Sequence, residues 1–450
     1  RNGQARMKYL DVVVENKSRH TDSFFTYRAP DETELRIGDK VWVPFGRGDK
    51  TKAGFVFAFP EHISCPEQKI KEIEGVDAAG SLNREMMKTA AWMKQRYAIT
   101  YSDAISCFCV KGKPPREGKA KEPYKDLPGR DERPAALTEE QTASVERINE
   151  AIAASRHEIF LLHGVTASGK TEVYMEAIDK CLKLDKTAIM LVPEIALTNQ
   201  IMEHFIGRFG KDRLAVMHSK LTPRERYDEW HRIRSGRARI VIGARMGVFA
   251  PAENIGLIIM DEEHEATYKS DMTPKYDTVE VAAKRLQTTG GVLLLGSATP
   301  SVVSYERAKE GIYQLLTLKQ RYNRNPLPRV EIVDMREELR AGNTNIFSRR
   351  LYTAIEETLK KGQQVILFQN RRGYSNFVSC RACGEVMKCP HCDVSLSEHK
   401  GGRLICHYCG YTQPLPKLCP KCGSKYILGF KAGTQQIEDK LKELYPGVRT

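Results

Sequence analysis

Gly164-Val165-Thr166-Ala167-Ser168-Gly169-Lys170-Thr171 sets two glycines, a lysine and a hydroxyl at the spacing G-x-x-x-x-G-K-[ST]. Such a loop turns backbone N–H groups toward phosphate oxygens, and a helix starting at its end adds partial positive charge. Lys170 is then placed for the β- and γ-phosphates of a nucleoside triphosphate, and the Thr171 hydroxyl for Mg²⁺. Further along, the apolar run Leu257–Met260 delivers Asp261-Glu262-Glu263-His264. Acids at the end of a buried strand suit phosphoryl hydrolysis: Asp261 for the Mg²⁺ shell, and Glu262 to orient and deprotonate the attacking water.

A second chemistry lies in the cysteines. Of twelve, eight fall between Cys380 and Cys422 as four C-x-x-C pairs: Cys380/Cys383, Cys389/Cys392, Cys406/Cys409 and Cys419/Cys422. Each pair presents two thiolates to one ion, and tetrahedral zinc takes four, so two structural Zn²⁺ are expected. Knuckles of a zinc ribbon are usually about 12–20 residues apart. Thirteen residues separate Cys392 from Cys406 but only five separate Cys383 from Cys389. Nesting follows: Cys389, Cys392, Cys406 and Cys409 on one ion, Cys380, Cys383, Cys419 and Cys422 on the other. His391, His399 and His407 are left as surface residues.

These groups need elements to hold them. Short apolar runs at Ile159–Leu162, Ala188–Val192, Leu214–Met217, Ile240–Ile242, Leu257–Met260, Val292–Leu295 and Val365–Phe368 read as buried parallel strands with helices between most of them. The phosphate loop follows the first and opens a helix over Thr171–Leu182. That is an α/β, doubly wound pattern. Upstream, Tyr9–Val14, Lys40–Phe45 and Ala53–Phe59 read as strands of a β-rich domain, followed by a helix over Ser81–Tyr97 with Ser81 as its cap. The expected division is a β-rich domain at 7–110, a linker at 111–134, a first α/β lobe at 135–318, and the start of a second lobe at 319–379. A cysteine insertion at 380–431 and a truncated continuation at 432–450 complete it. The proline-rich, charged linker reads as a solvated tether.

The chain has 71 Lys and Arg against 57 Asp and Glu, which points to a polyanionic partner. Clustered cysteine pairs favour metal over disulfides and a reducing cytoplasm. No apolar run approaches the ~20 residues of a membrane helix, so no membrane partner is expected.

Asp261-Glu262-Glu263-His264 and Gly296-Ser297-Ala298-Thr299-Pro300 resemble motifs II and III of superfamily 2 helicases. With Gly164–Glu172, Gln369-Asn370-Arg371-Arg372-Gly373-Tyr374 and the four-pair cysteine insertion, the chain resembles the PriA family over nearly all of residues 7–450. The resemblance implies RecA-like helicase lobes, a 3′-DNA-end binding domain, ATP with Mg²⁺, and 3′→5′ unwinding of branched DNA at stalled forks. It further implies single-strand binding protein, primosome and helicase-loader proteins as partners, and a bacterial cytoplasm with nucleoid association at forks. By the same likeness Gln141 reads adenine, while Pro193-Glu194 and Gly243-Ala244-Arg245 line the path of single-stranded DNA. Tyr268–Tyr276 is the aromatic-rich loop, in which Tyr268 and Tyr276 are taken as DNA contacts, and Phe25, Thr26, Tyr27 and Gly46 hold a terminal nucleotide. The rival reading is a non-catalytic platform that binds forks and recruits a helicase loader.

Several positions depart from the family pattern. Ala167 stands where glycine is usual, and Thr26 where some members have aspartate. Residues 111–134 are too short for the family's winged-helix domain. Motifs V and VI are expected beyond Thr450, which would leave this piece inactive by itself.

Overall fold

The computed structural model describes residues 7–16, 18–63, 65–110, 123–124, 126–131, 133–193, 199–326, 328–368, 378–399, 402–429 and 434–449. They divide into two compact units, Arg1–Pro326 and Leu327–Thr450.

The first unit begins with an antiparallel sheet of β1 (Met7–Val14), β2 (Phe25–Pro30), β3 (Lys40–Phe45), β4 (Lys50–Ala58) and β5 (Gly75–Asp77), in the order β2-β1-β4-β3-β5. Alternation along β1 sends Leu10, Val12 and Val14 to a core with Tyr27, Val41 and Val43. Val13 faces the other way and packs with α1 (Arg84–Tyr97) and α2 (Tyr101–Ser106). The expected helix start is corrected here. Asn83, not Ser81, caps α1 by accepting from Met86 N. The Ser81 hydroxyl instead accepts from Lys40 N and ties the segment to β3.

The lobe that follows runs α3 (Glu139–Ala153), β6 (Ile159–Gly164), α4 (Lys170–Lys183), β7 (Thr187–Leu191), α5 (Asn199–Phe209), β8 (Leu214–Met217), α6 (Pro223–Arg234) and β9 (Ile240–Gly243). It continues with β10 (Ile255–Asp261), α7 (Thr278–Thr289), β11 (Val292–Ser297), α8 (Val302–Lys309) and β12 (Gln314–Leu318). All seven strands are parallel, in the order β12-β6-β11-β10-β7-β9-β8. Their near-continuous apolar runs reflect burial on both faces. The sheet therefore collects the ends of β6, β10 and β11 at one edge, where Gly164, Asp261 and Ser297 stand.

The β-rich domain and this lobe share one core. Met86, Met87, Met93 and Phe108 pack in the same cluster as Trp230, Phe249, Val281 and Leu286. The described end of the linker is also no free tether. Arg130 N donates to Glu203 O at 2.9 Å and its guanidinium pairs with the Glu203 carboxylate. The segment is thereby fastened to α5.

The second unit contains α9 (Met335–Arg340), α10 (Arg349–Lys360) and the cysteine module with β13 (Val378–Cys380), β14 (Ser397–His399), β15 (Arg403–Ile405), β16 (Thr412–Pro414) and β17 (Ile427–Gly429). α11 (Thr434–Leu444) follows. The strand expected at Val365–Phe368 does not form, and Ile366 and Phe368 are 92% and 83% exposed. A parallel strand needs a neighbour for its N–H and C=O groups and a layer over each face. Among the described residues this run has no strand partner. No described helix is long and apolar enough to cross a membrane.

Candidate nucleotide site, strand path and metal centres

β6 ends at Gly164 and the loop reverses into α4 through two left-handed residues, Ala167 at φ +62° and Gly169 at φ +79°. Gly169 accepts this geometry freely; Ala167 bears a Cβ penalty of roughly 1 kcal/mol. Replacing Ala167 with glycine is therefore expected to stabilise the nucleotide-free protein by about 0.5–1 kcal/mol, read as a rise in thermal midpoint. A fall would show that the methyl group has packing worth more than the strain.

Three observations fit this loop to a triphosphate. Ser168 Oγ is buried with no hydrogen-bond partner among the described residues. Lys170 Nζ donates to Gly164 O at 3.1 Å, which holds it along the loop and leaves its other protons for phosphate oxygens. Thr171 is exposed on the first turn of α4. Val165 and Thr166 complete the loop, Thr166 in solvent.

Gln141 is placed differently from the expectation. Its side chain is 1% exposed; Nε2 donates to Ser168 O at 2.9 Å, and Oε1 accepts from Thr138 N at 2.9 Å. It caps α3 and clamps the loop from beneath, so its amide is largely engaged with backbone and keeps one lone pair of Oε1 uncommitted.

The acids come from the end of β10. Tyr174 of α4, 1% exposed, donates to Asp261 Oδ1 at 2.9 Å and orients that carboxylate. Sequence reading missed Tyr174 because an aromatic inside an amphipathic helix looks like core. The signal was Gly296: a Cβ there would lie 1.7 Å from the Tyr174 hydroxyl. Glu262 follows at φ +47°, a strained turn that swings it off the strand line. Burial raises its carboxyl pKa above the usual carboxylate range, Asp261 adds to this, and Lys170 opposes it. A carboxylate held that way is a better proton acceptor. Glu263 accepts from Ser301 N at 2.6 Å and from Ser304 Oγ at 2.9 Å, while His264 Nδ1 sits 2.8 Å from Ser297 Oγ. The two acidic and Ser-Ala-Thr-Pro segments are thus mechanically joined.

On the expected strand path the two tyrosines lie largely in the interior. Tyr268 is 2% exposed, its single hydroxyl proton shared between Leu191 O at 3.0 Å and Asp261 O at 2.7 Å; Tyr276 is 8% exposed and makes a T-shaped contact with Phe249. Both rings are largely buried, and both line the pocket they share with Arg245. Both are internal struts, and burial pushes the Tyr276 hydroxyl up to about 12. Arg245 donates to Thr267 O and Lys269 O at 3.0 and 2.6 Å, bracing the aromatic-rich loop. It lines a pocket of about 450 Å³ with Pro193, Ser219 and Asp271. Glu194 and the run Gln369–Tyr374 lie outside the described residues.

In the N-terminal sheet Phe25, Thr26, Tyr27 and Gly46 do converge, lining a second pocket of about 450 Å³ with Lys69 and Lys71. Tyr27 is a floor: it is 4% exposed and donates to Pro44 O at 3.0 Å. Phe25 is half-buried, meets Phe45 in a T-shaped contact at 5.0 Å, and lines the pocket beside the exposed Phe24. Thr26 donates to Asp11 Oδ1 at 2.8 Å, so a carboxylate stands across the strand pair from the threonine.

The thiols gather in two sets, Cys380, Cys383, Cys419 and Cys422, and Cys389, Cys392, Cys406 and Cys409, each with all sulfurs within 4.8 Å of one another. β13 pairs with β17 to bring the outer knuckles together, and the β14–β15–β16 meander does so for the inner ones. In the second set the Cys409 backbone N–H pulls the Cys406 thiol down to about 7. Four converging sulfurs are the donor set of structural zinc, and the two sets fit two zinc ions. Serine at both Cys389 and Cys406 is expected to remove one zinc per chain, whereas serine at Cys389 and Cys419 removes two. Metal analysis of the purified variants distinguishes this from any sequential pairing. His391, His399 and His407 belong to neither set.

Comparison with known proteins is consistent across the chain. Residues 11–109 match the family described as the 3′DNA-binding domain of PriA, 138–308 the DEAD/DEAH box helicases, and 389–414 the Cys-rich region of PriA DNA helicase. The chain is 49% identical over 460 aligned residues to a replication restart protein PriA of Bacillus subtilis, covering 98% of this chain and 57% of that protein. It is 47% identical over 299 residues to the PriA of Synechocystis, covering 64% and 36%, and 36% identical over 439 to that of Treponema pallidum, covering 95% and 64%. The chain thus spans between about a third and two thirds of the lengths of these relatives.

Proposed function

The chain belongs to the PriA family of replication restart proteins, and from that premise we propose that it is the end-binding and motor portion of an ATP-dependent DNA helicase acting on branched replication forks. The observation that carries the reading is the joining of phosphate loop to acids, Tyr174 of α4 holding Asp261 of β10. ATP and Mg²⁺, when bound, supply the phosphoryl group and its counter-charge. Lys170 and the loop N–H groups bind phosphate oxygens, and Thr171 and Asp261 are the metal-facing oxygens. Glu262 takes the proton of the attacking water, and Glu263 passes displacement to the Ser301 segment. Phe25 stacks on the base at a 3′ end, over Tyr27, with Lys69 and Lys71 near the backbone. Unwinding runs 3′→5′ along a strand passing Arg245. The complete protein works in the bacterial cytoplasm, at forks on the nucleoid, with single-strand binding protein and with primosome and helicase-loader proteins. The platform reading is weaker because Lys170, Asp261 and Glu262 are all in place.

The test is ATP hydrolysis by the complete protein with and without a fork bearing a leading-strand 3′ end. Strong stimulation by that fork is expected; fork binding with no hydrolysis would favour the platform.

A further inference from the structure

Gln141 is held by backbone at both ends of its amide, which leaves at most one lone pair of Oε1 for a base, so a bound base needs a further contact. The segment leaving β12 lies beside that position and is pinned there. Leu318 O accepts from Val165 N at 3.2 Å, Lys319 N donates to Glu140 Oε2 at 2.8 Å, and Tyr322 N donates to Ala167 O at 2.9 Å. Arg324 N closes a turn on Arg321 O at 2.9 Å. A short turn is therefore fixed against both the phosphate loop and the first turn of α3. Phosphates face the inner N–H groups of such a loop, so the rest of a nucleotide must leave past its rim. At that rim stands Tyr322, 52% exposed, in contrast to Tyr174, Tyr268 and Tyr276 in the interior. Beside it Arg321 Nε is buried without a hydrogen-bond partner among the described residues.

We propose that Tyr322 is the base-stacking residue of the nucleotide site, taking the purine ring of a nucleoside triphosphate, with Arg321 as the adjoining cation. The proposal rests on the phosphate-loop reading above. An aromatic on a fixed turn stacks a base without ordering backbone at the moment of binding, and stacking tolerates any purine face. The position thus sets affinity for the base and leaves phosphate chemistry to the loop.

The test compares two ligands on the zinc-loaded chain by calorimetry: ATP, and inorganic tripolyphosphate, which has no base. Tyr322→Ala is expected to weaken ATP roughly tenfold or more, to leave tripolyphosphate affinity unchanged, and to be rescued by Tyr322→Phe. Wild-type ATP affinity in Tyr322→Ala would overturn the proposal. Equal weakening of both ligands would also overturn it, since that is what loss of a mere loop support would give. A wild-type chain that binds neither ligand would remove the phosphate-loop reading itself, a failure distinct from the other two.

Discussion

Replacing Lys170 with alanine is expected to lower DNA-stimulated ATP hydrolysis by the complete protein roughly a hundredfold or more, with fork binding within about twofold of wild type. The lysine is the one mobile cation on the loop, anchored at Gly164 O and otherwise free for phosphate oxygens as charge develops on them. Lys170 opposes the rise in the Glu262 pKa, so in the variant that pKa climbs further. The end pocket around Phe25 and Gly46 is built from β2 and β3, with no residue from the phosphate loop. Parallel loss of hydrolysis and fork binding, measured on one preparation, would show that the two surfaces are not separable.

The second large effect concerns stability. Arg285 of α7 is fully buried; Nε and Nη2 form a bidentate pair with Glu85 of α1 at 3.0 and 2.7 Å. Its Nη1 donates to Val248 O and Ala250 O at 2.6 and 2.9 Å, and Thr89 Oγ1 completes Glu85 at 2.9 Å. Arg285→Met leaves a buried carboxylate and two carbonyls without their donor. Breaking such a pair costs about 3–5 kcal/mol. The thermal midpoint of the single variant should fall sharply, and Glu85→Leu added to it should recover most of the loss, since an apolar pair of similar volume is often neutral. If the double variant is no better than the single, the cost comes from the carbonyls of Val248 and Ala250 and not from the ion pair.

What was legible in the chain was chemistry written in contiguous residues. The phosphate loop, the acids after Met260 and the cysteine knuckles each carry their geometry in a few adjacent positions, and the buried parallel strands announce themselves by apolar runs. What was not legible depended on partners distant in sequence. The resemblance alone made Tyr268 and Tyr276 DNA contacts, and a motif match does not say how deeply a ring is buried; the carbonyls of Leu191 and Asp261 decide it for the first. Val365–Phe368 has the composition of a strand yet forms none where no ladder neighbour is described. β2 and β12 were passed over because Arg28 and Gln314 interrupt their apolar pattern. Their backbone pairing with β1 and β6 overrides that. The helix at Arg84 began two residues beyond Leu82 because Asn83 caps better than a serine already spent on Lys40.

The common core of the β-rich sheet and the α/β lobe gives the strand-end pocket a fixed address in the frame of the motor. Trp230, Phe249, Val281 and Leu286 would be stripped of Met86, Met93 and Phe108 if residues 7–110 were cut away, so the pocket is not an interchangeable attachment. A terminal nucleotide seated at Phe25, as proposed above, would be a surveyor's benchmark. The number of bases between it and the strand path proposed past Arg245 would be set by a rigid span, insensitive to the length or stiffness of any tether. Fork substrates whose nascent end is stepped back one nucleotide at a time should accordingly show a sharp register in stimulation of ATP hydrolysis, where a flexibly tethered pocket would give a smooth decline.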